Sequence, residues 1–271
     1  MAGSTDVLRW FESQGDLFAE AYGAYPQYLP RIRHDRYFGL AWFLHGFAFA
    51  KSGAPRGFPI AAVKALRTLQ QAGEDLSGLK EGFMRLYPTD PEGKWNERNN
   101  CMFDPLLPDF DVPHVVELVE QGNIQAAYVS ISLRGIGHKV KSLFLRELVL
   151  MTGSESKFRD APESYLYCQP IDVWLRVAVD VLFPDRPPGP SVEKIELDKK
   201  DRARAWILTE RALKAGVSPL KVTKESGTSR RMPSRTWRGL RRYCSSLVQH
   251  TYRKSSIGWT DFFRFVRGSG G

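Results

Sequence analysis

The sequence predicts an all-α fold, and two observations support that prediction. Apolar residues recur at helical spacing in one segment after another, and no segment of any length shows the alternation typical of a strand. Proline- and glycine-containing breaks separate these segments, as expected between helices. The chain has 271 residues, of which 12% are aromatic and 25% charged. That composition predicts a globular protein with one large domain or two lobes.

The periodicity and the breaks define the predicted elements in order. An amphipathic helix at 4–22 precedes a stretch broken by Pro26 and Pro30, and a helix at 35–51 is apolar nearly all round. Residues 87–111 are irregular, and irregular stretches of that length are usually functional or plain connecting loops. The other predicted helices are 59–72, 76–86, 112–120, 124–133, 139–151, 173–183, 197–215, 235–252 and 260–266, with irregular sequence at 152–164 and a proline-rich linker at 184–190.

The net charge of +9 is concentrated near the C-terminus. From Lys221 onward the chain has twelve lysines and arginines against two acidic residues, with four tryptophans and tyrosines among them. A local basic patch is what a polyanion-binding face requires, although a solvated basic helix face would have the same composition. The candidate DNA-binding residues of this patch are Arg230, Arg231, Arg235, Arg238, Arg241 and Arg242.

Cysteine and histidine usage argues against disulfides and metals. Cys101, Cys168 and Cys244 form no CxxC pair, so reduced thiols in a cytoplasmic protein are expected. The histidines lack ligand spacing such as HxxxH, and no metal is predicted. The longest apolar run, 37–50, falls short of the roughly 20 residues that a membrane span needs. No basic-then-apolar signal pattern is found at the N-terminus.

The most informative pattern is a pair of glycines between two predicted helices. Gly135 and Gly137 stand one residue apart, and glycine tolerates positive φ and close approach of another backbone. Gly137 directly precedes a helix whose first N–H groups have no partner within the helix. Such a helix start favours an anion, and Lys139 projects from it. Alone, however, a Gly-x-Gly-x-Lys pattern is weak.

A second pattern, Pro170-Ile171-Asp172, lies downstream and precedes a strongly apolar predicted helix. An aspartate at that point is a natural N-cap, and alone Asp172 would be explained by that role. The two patterns occur in order, each at a helix start, in a chain with a separate basic segment. Their combination is therefore more informative than either part.

Together these patterns resemble the helix-hairpin-helix DNA glycosylase superfamily, especially its bifunctional, lysine-containing members. The resemblance implies that Lys139 is the catalytic lysine and Asp172 the catalytic aspartate, and that Gly135 and Gly137 hold a DNA phosphate. It also implies two helical lobes with the active site in the cleft between them. One lobe would comprise residues 35–152, and the other residues 1–34 plus 153–271.

The sequence departs from the family pattern at several points. The interval from Lys139 to Asp172 is 33 positions, longer than usual but comparable to that of the archaeal 8-oxoguanine glycosylases. Lys141 stands where the family commonly has a small residue, and it is expected to contact phosphate or to be an alternative nucleophile. His138 is expected to contact phosphate or solvent. The four-cysteine iron–sulfur signature is missing, so no cofactor is expected.

The implied activity is base excision with β-lyase cleavage by a monomer acting on double-stranded DNA that contains a modified base. The base leaves C1′ through an oxocarbenium-like state, a carboxylate stabilises that charge, and a neutral amine attacks C1′ to form a Schiff base. Asp172 is expected to accept the proton from Lys139. The nucleotide must be flipped out of the duplex.

Three readings of substrate and function remain open. An oxidised purine such as 8-oxoguanine is the first expected substrate, and a modified pyrimidine, including one in viral DNA attacked as defence, is the alternative. A non-catalytic DNA-binding module is the alternative of another class. The candidate base-pocket residues are Trp42, Phe43, Phe47, Trp95 and Phe103, although core packing explains the first three equally well.

Overall fold

The structure is a computed structural model, and it describes residues 25–49, 57–87 and 101–224 together with Thr5, Leu8, Arg9, Glu12 and Ser13. Every regular element within these ranges is helical, which confirms the all-α prediction. None of the helices in the described ranges is long and apolar enough to cross a membrane. Outside the described residues lie Trp95, the predicted helices 235–252 and 260–266, and the six arginines of the predicted DNA-binding patch.

The helices of the described residues are mostly short. The π-helix Leu44–Ala48 directly continues α2, and 3₁₀-helices cover Leu76–Gly78, Cys101–Phe103, Leu107–Asp109, Ser154–Phe158 and Pro162–Cys168. In chain order the α-helices are α1 (Tyr25–His34), α2 (Arg36–Phe43), α3 (Gly57–Ala72), α4 (Leu79–Leu86), α5 (Val112–Gln121), α6 (Ile124–Ser130), α7 (His138–Thr152), α8 (Val173–Leu182), α9 (Lys199–Lys214) and α10 (Pro219–Lys224).

The described residues fall into two compact units. Unit 1 contains α1, α2 as far as Leu40, and the whole of 101–224, whereas unit 2 contains 41–49 and 57–87. The predicted lobes divide the chain at other positions, and their cleft stays a prediction. Lys139 and Asp172 both belong to unit 1.

Aromatic packing forms much of the core of unit 2. Trp42 and Phe43 are fully buried, Phe47 is nearly so, and the rings of Trp42 and Phe47 meet edge to face with centroids 4.8 Å apart. In the part of the chain that the structure describes, these three side chains belong to a packed core closed to solvent, which corrects the expectation that they receive a flipped base. Their helix is apolar nearly all round, and such a helix is buried on every side. The rings of Phe58 and Phe83 meet in the same way at 5.3 Å.

The central helix of unit 1 is α7, which follows the glycine pair. Most of its fifteen residues are buried, and Phe144, Leu145, Leu148 and Val149 are completely inaccessible. It contacts α1, α5, α6 and the 3₁₀-helices Ser154–Phe158 and Pro162–Cys168. A charged pair lies within this packing, where the Arg146 guanidinium donates to Glu147 and to the carbonyl of Thr223. The start of α7 is thus attached to a rigid element.

Two segments predicted to be irregular are helical. Helix α1 contains Pro30, and Pro26 lies in its first turn, where an N–H has no helical partner in any case. Burial of Leu29 and Ile32 offsets the single hydrogen bond that Pro30 removes. The predicted irregular segment 152–164 contains 3₁₀-helix, and Phe158 is buried there.

Candidate functional site

The glycine pair forms a tight turn between α6 and α7. The N–H of Ile136 donates to the carbonyl of Leu133 at 3.1 Å, which closes a four-residue turn. Gly135 occupies the third position of this turn with φ +76°, the left-handed conformation that a type II turn requires there. Gly137 is the N-cap of α7, and no side chain caps this helix start. Both glycines are exposed, so the backbone of the turn is accessible to a ligand.

The side chain of Asp104 holds the glycine turn by accepting a hydrogen bond from the backbone of the turn. Its Oδ2 accepts the N–H of Arg134, and its Oδ1 accepts the N–H of Leu106 at 2.8 Å. The residue is buried, so these bonds are shielded from water. Sequence reasoning missed Asp104, although an aspartate before a proline is a known turn signal that pointed to it. Phe103 directly precedes it, and its side chain lies outside the described residues.

Lys139 and Asp172 meet in unit 1 although 33 positions separate them. Lys139 Nζ lies 3.7 Å from Asp172 Oδ2, with the lysine side chain 46% exposed and the aspartate side chain 16% exposed. The other carboxylate oxygen, Oδ1, accepts the N–H of Leu175 at 2.9 Å and so caps α8. One oxygen of Asp172 therefore has a structural role, and the other faces the amine.

The stability that this contact supplies is small. A separation of 3.7 Å exceeds the usual hydrogen-bond range, and a partly exposed ion pair contributes about 1 kcal/mol or less. The capping bond to Leu175 stabilises α8 by about 1 kcal/mol on its own. The N-cap role explains the position of Asp172, but it does not explain why a half-exposed lysine lies beside Oδ2.

Arginine–carboxylate pairs fix α8, and with it Asp172, against α9. Arg176 Nε donates to Asp201 Oδ1 at 3.0 Å, and Arg204 Nε donates to Asp180 Oδ1 at 2.9 Å. The hydrogen bond from Arg204 holds the pKa of Asp180 below its usual range. Each pair joins a residue of α8 to one of α9, so the orientation of α8 is set along its length.

His138 is buried, which corrects the expectation that it contacts phosphate or solvent. Its Nε2 lies 2.9 Å from the carbonyl oxygen of Gln169, and its Nδ1 lies 3.1 Å from the hydroxyl of Tyr128. The Ser142 hydroxyl lies 3.0 Å from Nε2. Burial lowers the pKa of His138 to about 4, so the ring is neutral near neutral pH. Both ring nitrogens face protein groups, and the side chain is not presented to solvent.

Lys141 is also buried, and its charge has a partner. Its Nζ lies 2.6 Å from Glu196 Oε1 and 4.9 Å from the centre of the Tyr128 ring. The lysine side chain is only 7% exposed, whereas that of Glu196 is 50% exposed. These contacts correct the expectation that Lys141 reaches a phosphate directly. Sequence reasoning missed Glu196, because no local pattern links position 196 to the start of α7.

Among the described residues, the predicted site residues fall into a partly or fully exposed group and a buried group. Lys139 and Asp172 lie together, Gly135 and Gly137 form an exposed turn beside them, and His138 and Lys141 face inward. No group of histidine, cysteine, aspartate or glutamate residues within the described ranges is arranged to hold a metal ion.

Comparisons with protein-family models, curated proteins and solved structures found no match for this chain.

Proposed function

We propose that this chain is a DNA glycosylase with β-lyase activity, in which Lys139 is the nucleophile and Asp172 accepts its proton. The observation that supports the proposal is the 3.7 Å approach of Lys139 Nζ to Asp172 Oδ2, at the start of two different helices. A catalytic amine must reach a substrate carbon, and the half-exposed side chain of Lys139 meets that requirement.

The proposed reaction uses the two side chains in sequence. A proton passes from Lys139 Nζ to Asp172 Oδ2, the neutral amine bonds to C1′, and the base leaves with the electrons of the glycosidic bond. Asp172 Oδ2 passes this proton on to the departing base, and the carboxylate that is thereby restored stabilises the positive charge that develops on the sugar. A proton then passes from the attached nitrogen to the ring oxygen as the bond between that oxygen and C1′ breaks, which leaves a protonated imine. The carboxylate of Asp172 takes a C2′ proton, and the electrons of that C–H bond expel the 3′ phosphate.

The glycine turn supplies the proposed phosphate contact, as in a helix-hairpin-helix motif. Its glycines are exposed, the N-terminus of α7 has no side-chain cap, and the helix dipole favours an anion there. Phosphate contacts position DNA but do not identify a base. The turn would therefore place the backbone of the flipped nucleotide near Lys139.

One observation favours the non-catalytic alternative. The bond from Leu175 N–H to Asp172 Oδ1 is a complete structural reason for an aspartate at this position. A DNA-binding module would use the same turn, would keep its affinity in the Asp172→Asn variant, and would release no base. Base release and covalent trapping separate the two functions.

The test uses duplex oligonucleotides that each contain one modified base. An oxidised purine, 8-oxoguanine, is tested first, and oxidised, hydroxymethylated and glucosylated pyrimidines follow. Borohydride is added to reduce any imine, and the covalent complex and the free base are measured together. We expect a trapped complex with at least one duplex, none with Lys139→Ala, and full trapping with Lys214→Ala.

Lys214 is a suitable control because its side chain is 63% exposed and pairs with Glu210, four positions away on the same helix. The proposal fails if no duplex in the panel gives either a trapped complex or free base. It also fails if Lys139→Ala traps as well as the unaltered protein.

A further inference from the structure

A buried histidine joins the two chain segments that supply the proposed chemistry. His138 directly precedes Lys139, and its Nε2 lies 2.9 Å from the carbonyl oxygen of Gln169, three residues before Asp172. We propose that His138 is a positioning residue, whose hydrogen bond to Gln169 sets the separation between Lys139 and Asp172. The rate measurement below rests on the proposed function, whereas the spectroscopic measurement does not.

The chain between this hydrogen bond and Asp172 has little freedom. Pro170 and Ile171 are buried, and the proline ring fixes its own φ near −65°. Asp172 is then fixed by its capping bond to Leu175. A displacement of the Gln169 carbonyl is therefore transmitted to the carboxylate and is not absorbed by a flexible loop.

The hydrogen-bonding roles on the histidine follow from its partners. A carbonyl oxygen only accepts, so Nε2 must hold the ring proton and donate it to Gln169. The other nitrogen, Nδ1, then accepts from the Tyr128 hydroxyl at 3.1 Å. That hydroxyl in turn accepts the N–H of Glu196 at 3.3 Å. Tyr128 thereby selects the tautomer that His138 needs in order to hold Gln169.

Gln169 is fixed from a second side by its own amide. Its Nε2 lies 3.4 Å from Thr209 Oγ1 and 3.3 Å from the carbonyl oxygen of Pro219, and the residue is completely buried. Gln169, which begins the segment that leads to Asp172, is thus held by α7 on one side and by α9 and α10 on the other. His138 makes the bond from α7, the helix that contains Lys139.

A purely structural histidine would make the same contacts, so the test compares two replacements of similar size. His138→Gln retains an N–H donor for Gln169, whereas His138→Leu removes both polar atoms. Val149→Ala is the stability control, because Val149 is fully buried on the same helix and eleven positions away. Tyr128→Phe removes the nearer of two hydroxyls beside Nδ1, because the Ser142 hydroxyl remains at 3.3 Å, and it leaves the histidine unchanged.

The first measurement is the ¹³Cε resonance of Lys139 in lysine-labelled protein without DNA, assigned with Lys139→Arg. We expect Asp172→Asn and His138→Leu to move this resonance in the same direction. His138→Gln and Val149→Ala should leave it near its original position. Tyr128→Phe should move the Lys139 resonance in the same direction by a smaller amount. If His138→Leu does not fold, the Tyr128→Phe variant tests the positioning role in its place.

The second measurement is the single-turnover rate of base release beside the DNA affinity. Misplacement of a reacting group by about 1 Å costs about 10²-fold in rate, so His138→Leu should lose about that factor while DNA affinity stays unchanged. His138→Gln should retain most of the rate.

Either of two results overturns the positioning role. One is a Lys139 resonance that responds to Asp172→Asn but not to His138→Leu or Tyr128→Phe. The other is an equal displacement by His138→Gln, His138→Leu and Val149→Ala, which would indicate general loosening. If the unaltered protein releases no base, the proposed function fails. The comparison of Lys139 resonances then still decides whether His138 has the positioning role.

Discussion

The first turn of α7 has two lysines in opposite surroundings. Lys139 is half exposed and lies 3.7 Å from the carboxylate of Asp172, without a hydrogen bond of normal length. Lys141, two positions on, is almost completely buried, lies 2.6 Å from Glu196 Oε1 and packs over the Tyr128 ring. One side of the turn thus presents its amine to solvent, and the other side holds it inside the fold.

This difference assigns different roles to the two lysines. The Nζ of Lys141 is buried between Glu196 and the Tyr128 ring, and a nucleophile must reach a substrate carbon. Lys139 has a looser partner and an accessible amine. Lys139 is therefore the proposed nucleophile, and Lys141 is a structural residue. Substitution of Lys139 or Asp172 should therefore change activity directly, whereas substitution of Lys141 should change stability.

The largest expected effect on the exposed side comes from Asp172→Asn. Asparagine retains an oxygen for the cap of α8, but it neither accepts the proton of Lys139 nor stabilises positive charge on the sugar. Single-turnover base release should fall by about 10²- to 10³-fold, which is typical for loss of one preorganised electrostatic contact. Thermal unfolding should change little. Unchanged base release would contradict the role of Asp172.

On the buried side, acidification should destabilise the fold through His138. Its pKa is about 4 in the folded protein, below the unfolded value near 6.5, because burial disfavours the charged ring. The unfolded state therefore binds more protons, and stability falls as pH decreases from about 6.5 to 4. Complete protonation of this histidine in the unfolded state should lower the free energy of unfolding by about 3 kcal/mol.

The measurement is chemical denaturation at several pH values, for the unaltered protein and for His138→Gln. Glu155 acts in the opposite sense, because burial raises its pKa, so the difference between the two proteins is the quantity to compare. The loss of stability between about pH 6.5 and 4 should be smaller in the variant, whereas the loss from Asp180, whose pKa is lowered, should be the same in both proteins. An identical pH dependence of both proteins would show that His138 is not buried as described.

Lys141→Met should affect stability and not the chemistry. Methionine retains most of the buried stem but loses the ion pair and the cation–π contact, which together suggest a loss of about 1 kcal/mol in the free energy of unfolding. Denaturation and borohydride trapping are measured on the same preparation. Loss of trapping in a folded Lys141→Met variant would reverse the roles of the two lysines.

The smallest expected effect comes from Glu196→Gln. Glu196 Oε2 would lie 3.9 Å from a Cβ placed on Gly137, so a carboxylate lies near the proposed phosphate position. Removing this charge should tighten DNA binding by about a few-fold, most clearly at low salt, because a carboxylate repels a nearby phosphate. Fluorescence anisotropy across a salt series measures the change. Weaker binding by the variant would place the phosphate elsewhere.

The parts of this site that have a local sequence signature were predictable, and the parts that depend on packing between distant residues were not. Lys139, Asp172 and the glycine turn were recognised because each has a local signature at a helix start. The inward orientation of His138 and Lys141 was not predictable, because it depends on Gln169 and Glu196, which are distant in sequence.

The same distinction applies to the fold. Helical periodicity identified most of the helices, but it could not show that burial of Leu29 and Ile32 lets α1 form around Pro30. Likewise, an all-apolar helix predicted burial of Trp42, Phe43 and Phe47, and the assignment of a base pocket to them went beyond that pattern.

The most direct test of the central proposal is to identify the lysine that becomes attached to DNA. The borohydride-reduced complex is digested with protease and nuclease, and the modified peptide is sequenced by mass spectrometry. We expect a sugar remnant on Lys139 and none on Lys141. A remnant on Lys141 or on any other lysine, with Lys139 unmodified, would contradict the central proposal.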